Sequence, residues 1–365
     1  MKIVKVRSPF IIEVNEPAQL GSKIELFIWN KGSDEPTTPT YTLSKKISSA
    51  DDVKTNYNVS NFVREYINNI VPTISTNPEV EDNNEWCLFK VKRYTLSTVY
   101  NLIDTTTYVG VNGFTSHVDG VNAIIDTSGG GSLVPAYPLI SNGYKNYRQY
   151  NQYNLSSYFN LICQKKPSAA LWIFYANTDS GVPFKSAEIL PAGTTDEIYN
   201  YKIPFRFGSN PRQTIFLSYL GESEFIRVYS DEVEECKYTP VECRFINSKG
   251  GWQSITFFKA QTNSISVNTT NYNLSPESVN YNIFKGQSKN FNTNGKQTIK
   301  LNTGWVDENT SLAITDLLLS ETVSLDYRPV LVKTSSFEIK NSLKEKLINY
   351  EIDFEYNFDL INNVL

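Results

Sequence analysis

The stretch LINYEIDFEYNFD, residues 347–359, sets Ile348, Tyr350, Ile352, Phe354, Tyr356 and Phe358 on one parity and Asn349, Glu351, Asp353, Glu355, Asn357 and Asp359 on the other. Successive side chains of a β-strand point to opposite faces, so strict alternation predicts one apolar face and one polar face. As a single strand at roughly 3.3 Å per residue it spans about 40 Å, against a usual length of about 5–6 residues. A strand that long needs a large partner sheet, or a second subunit, over its aromatic face. The pattern therefore predicts an all-β building block suited to assembly, and it names no reaction.

Composition agrees with a packed β-rich chain. Of 365 residues, 40% are hydrophobic and 20% charged, which supports a core and argues against global disorder. Tyr (23) and Phe (20) are numerous while Met (1) and His (1) are rare, a bias that suits pleated, half-buried surfaces. The net charge is -4 and no basic stripe occurs, so direct nucleic-acid binding is not expected. Cys87, Cys163, Cys236 and Cys243 include no C-x-x-C pair. Buried thiols are expected, with a Cys236–Cys243 disulfide across a turn as the alternative. The start, MKIVKVRSPF, lacks the apolar core of a signal peptide. No run reaches about 18 apolar residues, so no membrane span is expected.

The chain reads as mainly antiparallel β-sandwich domains with one or two short helices. Three regions are expected: 1–115, an N-terminal sandwich-like domain with one helix; 116–240, a middle β region with a long Tyr-rich loop; and 241–365, a C-terminal β domain with a short helix and the long final strand. Strands are predicted at 2–6, 11–14 and 23–29. A helix capped by Ser60 follows, with Phe62, Val63, Tyr66, Ile67 and Ile70 on one face, ending at Val71-Pro72. Residues 198–207 and 214–219 read as a hairpin around Gly208-Ser209-Asn210-Pro211. The segments 241–246 and 252–259, joined by Asn247-Ser248-Lys249-Gly250-Gly251, form the clearest hairpin. Residues 262–295, rich in Asn and Ser, read as a long surface excursion. Asp307 is expected to cap a second short helix reaching Leu319.

No catalytic, cofactor or metal site is predicted. His117, in Ser116-His117-Val118-Asp119-Gly120, is the lone candidate base for a Ser-His-Asp hydrolase, but no G-x-S-x-G elbow accompanies it, so a neutral loop residue is expected. Glu351, Asp353 and Glu355 stand about 7 Å apart at alternate strand positions, within the range of glycosidase carboxylates. An ordinary acidic strand face looks the same, and no loop-type ligand spacing supports a cation there. Gly129-Gly130-Gly131 matches neither a phosphate loop nor a dinucleotide fingerprint. Of Trp29, Trp86, Trp172, Trp252 and Trp305, most are expected in the core. Tyr144, Tyr147, Tyr150, Tyr153 and Tyr158 sit among Asn, Gln and Ser. They belong either to a long ordered loop packed on its own domain or to an inter-subunit contact arm. They are the candidate assembly contacts, with the 262–295 excursion beside them.

Several motifs carry a family resemblance. They are Ser8-Pro9-Phe10; Val118-Asp119-Gly120-Val121-Asn122; Phe245-Ile246-Asn247-Ser248-Lys249-Gly250-Gly251-Trp252-Gln253 with Phe257-Phe258-Lys259; Leu301-Asn302-Thr303-Gly304-Trp305-Val306; Leu317-Leu318-Leu319-Ser320-Glu321; and Lys346-Leu347-Ile348-Asn349-Tyr350. On these the chain resembles tail structural proteins of phages that infect Bacteroidota, including crAss-like phages. The likeness spans most of the chain, is densest after Val241, and leaves residues 129–166 unmatched. It implies a virion protein of the tail, made in the bacterial host cytoplasm, acting as a hub, ring or adaptor component without catalysis. It also implies copies of itself in a ring-like homo-oligomer and other tail proteins as partners. The alternative expectation is a carbohydrate- or receptor-binding fibre or adhesin module.

Overall fold

The computed structural model describes residues 2–30, 32–47, 53–69, 79–80, 85–122, 124–125, 133–135, 146–151, 158–164, 170–176, 183–190, 198–204, 212–219, 226–233, 237–276, 278–280, 282–307, 310–334, 336, 338 and 347–361. The chain is all-β, built from several mostly antiparallel sheets, with two short α-helices among the described residues. Two compact units form. One comprises Met1–Glu234, Arg244–Ile255 and Asn309–Glu321; the other comprises Glu235–Cys243, Thr256–Glu308 and Thr322–Leu365.

The first unit opens with a six-stranded sheet. Its order is Tyr41–Lys46, Gly21–Asn30, Trp86–Leu96, Tyr100–Val111, Lys2–Lys5 and Ile124–Ile125. Only the Lys2–Lys5 pairing with Tyr100–Val111 is parallel. Ile24, Leu26, Ile28, Phe89 and Val91 alternate inward along these strands and meet Ile12, Val14 and Tyr57 from the two-stranded Ile11–Val14/Thr55–Asn58 sheet, with Phe10 just before it. That is sandwich-like packing of two inner faces. Each large side chain buried here contributes roughly 1.5–3 kcal/mol.

Helix α1, Ser60–Arg64, seals one end of this core with Val63. It is shorter than expected, and Ser60 does not cap it. The cap position is Val59. The Ser60 hydroxyl instead donates to Ser8 O at 2.7 Å and accepts from Phe10 N at 2.6 Å. A long-range tie has taken the hydroxyl that local capping would use.

Residues 133–232, with Glu79–Val80, add two sheets. One is ordered Leu133–Pro135, Tyr158–Gln164, Ile198–Pro204, Glu79–Val80; the other Asn146–Asn151, Ile226–Glu232, Arg212–Tyr219, Leu171–Ala176, Pro183–Leu190. The expected hairpin of 198–207 with 214–219 does not form. Ile198–Pro204 pairs with Tyr158–Gln164, while Arg212–Tyr219 pairs with Leu171–Ala176 and Ile226–Glu232. Turn residues mark where a strand stops, and the partner is chosen by the rest of the sheet.

In the second unit the strand order runs from Val323–Leu325 through Arg328–Val332, Glu351–Asp359 and Ser288–Asn302 to Thr262–Asn273. The alternation that opened the reading holds: Ile352 and Phe354 are fully buried and Tyr356 nearly so, with Ile299, Leu301 and Phe257 against them. The 40 Å strand is interrupted, however. Leu347–Ile348 pairs with Val306–Asp307, and Glu351–Asp359 is a separate strand. Thr303 causes the break. Its Oγ1 accepts from Tyr350 N at 3.0 Å and its N–H donates to Tyr350 O at 3.0 Å. Asp307 thus lies in a strand and does not cap α2, which is Thr310–Leu318.

Candidate assembly surface

The Thr262–Asn273 strand, TNSISVNTTNYN, pairs antiparallel with Ser288–Asn302, and every one of its residues is exposed. It carries no charged side chain and no proline. Ile, Val, Thr and Tyr give it strand propensity, while Ser and Asn keep both faces compatible with water. The expected loop-like excursion is therefore a β-hairpin arm. Asn263 stands opposite Ile299, Ile265 opposite Gln297, and Val267 opposite Gly295. Cross-strand neighbours share a face. Ile265 and Val267 thus lie on the face that Ile299 turns into the unit's core, yet they are 63% and 60% exposed. Phe358 and Leu360, at the far end of the final strand, are also exposed.

Past an irregularity between Asn268 and Thr270, where Asn292 adopts φ +53°, Tyr272 and Phe291 meet edge-on at 6.4 Å. Ile283 and Phe284 beyond them are open to solvent. At the arm's root, Asn294 holds the backbone of Ile361 with both ends of its amide. Its Oδ1 accepts from Ile361 N at 3.1 Å and its Nδ2 donates to Ile361 O at 2.9 Å. Leu360 N donates to Gly295 O at 2.8 Å. A Cβ on Gly295 would come within 2.9 Å of Ser266 O, so the close strand approach requires glycine.

The polar face of the same sheet is an ion-pair ladder. Lys300 Nζ lies 3.0 Å from Glu351, and Glu355 is approached by Lys333 at 3.3 Å and Lys296 at 3.7 Å. The hydrogen bond to Glu351, then its charge, holds the Lys300 ammonium above its ordinary range. Two of the carboxylates considered for glycoside chemistry are thus cross-strand partners of lysines. The Lys300–Glu351 pair is open to solvent and screened, so it adds little to stability. Among the described residues, no group of three His, Cys, Asp or Glu side chains is arranged to hold a metal ion.

His117 lies exposed in a 3₁₀ turn, His117–Asp119, whose cap is the Ser116 hydroxyl accepting from Val118 N at 3.2 Å. The neighbouring serine serves the turn. The first unit does contain a buried polar node. Asp316 accepts from Ser248 N at 3.0 Å and Ser248 Oγ at 2.9 Å. Burial pushes the Asp316 carboxyl up, against the pull of Ser248, Lys5 and Lys249, and burial pushes both lysines down. This node pins the Asn247–Gly251 turn.

The five tyrosine candidates are not brought together in the described residues. Tyr147 and Tyr150 stand opposite Val228 and Asp231 in the Asn146–Asn151 strand, and Tyr158 opposite Pro204 in Tyr158–Gln164. Both stretches are strands where a long loop was expected. Tyr144 and Tyr153, Gly129–Gly131 and Cys236 lie outside the described residues. Cys87 and Cys243 are fully buried, and burial drives the Cys87 thiol to about 12. Trp86 and Trp252 are core residues, whereas Trp305 is 62% exposed. No helix among the described residues is long and apolar enough to cross a membrane.

Ile265 and Val267 were missed by sequence reasoning. The signal was there in Ser264-Ile265-Ser266-Val267, two β-branched residues on one parity, but the surrounding Asn and Thr concealed it. The chain matches no protein-family model and no curated protein, so the arm and its apolar face stand on their own geometry.

Proposed function

We propose that this protein is a structural component of a phage tail, a hub, ring or adaptor that acts through multi-copy protein–protein assembly and catalyses no reaction. The observation that supports this most is the hairpin arm. Its outer strand is exposed along its whole length, and its apolar face continues the core of the unit it springs from. Natural proteins cover or charge such edges, and an assembling subunit covers them with its neighbours. The lysine-paired carboxylates of Glu351 and Glu355 fit a structural role for the final strand. The resemblance of the motifs around Phe245–Trp252 and Leu301–Val306 to tail proteins supplies the setting.

The test is the solution mass of the purified chain by light scattering, with negative-stain images of the same sample. Defined oligomers are expected, and removal of residues 265–296, which takes away Ile265 and Val267 and leaves Ile299 and Leu301 in place, is expected to reduce them to monomer. A monodisperse monomer at every concentration overturns the reading. The exposed Trp305 favours a second reading, a glycan-binding tail module. It predicts a sugar-dependent shift in tryptophan emission that W305A abolishes.

A further inference from the structure

Resting on the assembly reading, we infer that the outer edge of Thr262–Asn273 is a self-complementary surface whose occupant is the same strand of a second copy, paired antiparallel about a two-fold axis at Ser266. The strand is the last in its sheet, and its outer edge pairs with no other described strand. Its backbone donors and acceptors on that side are therefore free to template another strand. The usual guards are missing from its twelve residues: it has no lysine, no aspartate or glutamate and no proline.

What selects a second copy over an unrelated strand is the order of residues around Ser266. Read outward from that position, Ile265 is matched by Val267, Ser264 by Asn268, Asn263 by Thr269 and Thr262 by Thr270. A two-fold interface must be complementary to itself, with each residue meeting its counterpart from the other side. The near-palindrome meets that demand. β-Branched residues meet β-branched residues, small polar residues meet small polar residues, and Thr meets Thr, all favourable cross-strand pairs. No like charges are brought together, because the strand has none. Of the arm's lysines, Lys289, Lys296 and Lys300 lie on the inner strand and Lys285 lies in the turn that joins the two strands, so none is on the outer strand. The pairing sets Ile265 and Val267 of one copy against Val267 and Ile265 of the other. These four side chains form one strip that prolongs the Ile299 face across both copies.

Directly opposed residues of antiparallel strands have Cα atoms roughly 4.5–5.5 Å apart, inside the range a disulfide spans. In the full chain under mild oxidation, S266C is expected to form a reducible dimer. N271C, five positions from the axis, and the wild type are expected to form none. S266K, which sets two ammonium groups side by side at the axis, is expected to weaken self-association at least about tenfold, read by light scattering, with far-UV circular dichroism checking that the fold is retained, since Ser266 also stands opposite Lys296 of its own copy. V267K serves as a second variant with the same expectation. If the wild type assembles while S266C stays uncross-linked, or N271C cross-links equally, the edge pairing is overturned and the assembly reading survives. If the wild type remains monomeric throughout, both fall.

Discussion

Two hairpins follow one another in this chain and share almost nothing but their topology. In Val241–Ile246/Trp252–Phe257 every residue of both strands is buried, including Glu242, Arg244 and Gln253. In Thr262–Asn273/Ser288–Asn302 every residue of the first strand is exposed. The first has its turn locked: Asn247 Oδ1 accepts from Lys249 N at 3.0 Å and Gly251 N at 3.3 Å, and Ser248 is held by Asp316. The second is held at its root and otherwise faces water. The difference teaches that strand pairing alone does not report what a hairpin is for. Buried polar side chains with partners specify a fold, whereas an uncharged, apolar-faced edge left open is available to a neighbour.

The contrast predicts a graded set of responses. Trp252→Ala is expected to cost the most, about 4 kcal/mol, because it opens a cavity and removes the Nε1–H that donates to buried Glu85 at 2.8 Å. Denaturant unfolding measures it, and a loss near that of a surface substitution would show the buried hairpin to be incidental to stability. Gly250→Ala follows at about 3 kcal/mol. Gly250 has φ +86°, and a Cβ would sit 2.8 Å from Gly113 N and 2.9 Å from Val111 Cβ. The same unfolding assay applies, with far-UV circular dichroism reporting whether the turn still forms.

Asp316→Asn tests the electrostatics of the turn. Because burial raises the Asp316 pKa above 3.8, the folded state holds this proton more tightly than the unfolded chain does. Its contribution to stability is therefore fully present at acid pH and lost as pH rises through the raised value. Relative to D316N, the wild type is expected to lose stability as pH rises from below the unfolded carboxylate range through the raised value, read as urea midpoints at each pH. A flat difference would remove the proton from the account. The smallest effect belongs to the open arm. Val267→Thr is expected to change monomer stability by less than about 0.5 kcal/mol while weakening self-association. A large loss of stability would mean the arm is part of the core after all.

Legibility in the sequence tracked burial. The final strand was readable because one face meets the core, so Ile352 and Phe354 had to alternate with Glu351 and Asp353. The Val241–Phe257 hairpin was readable from the turn chemistry of Asn247–Gly251. The arm was not, because Ile265 and Val267 alone alternate on its apolar face, and its Asn and Thr content imitates a loop. Ser60 was assigned to a cap because local rules favour it there, whereas Ser8 and Phe10, some fifty positions away, claimed its hydroxyl. The Lys300–Glu351 and Lys333–Glu355 pairs depend on register between strands distant in sequence, which no local pattern encodes.

The grip of Asn294 on the backbone of Ile361 makes the arm a cantilever with a clamped base. A beam fixed at one end passes a load at its tip back to the clamp, and here the clamp is fastened to the strand that carries Ile352 and Phe354 in the core. A tug on Phe284 would be felt as tension along Leu360–Ile361. Cutting the chain after Asp359 would turn a stiff lever into a slack one without disturbing a single residue of the arm itself.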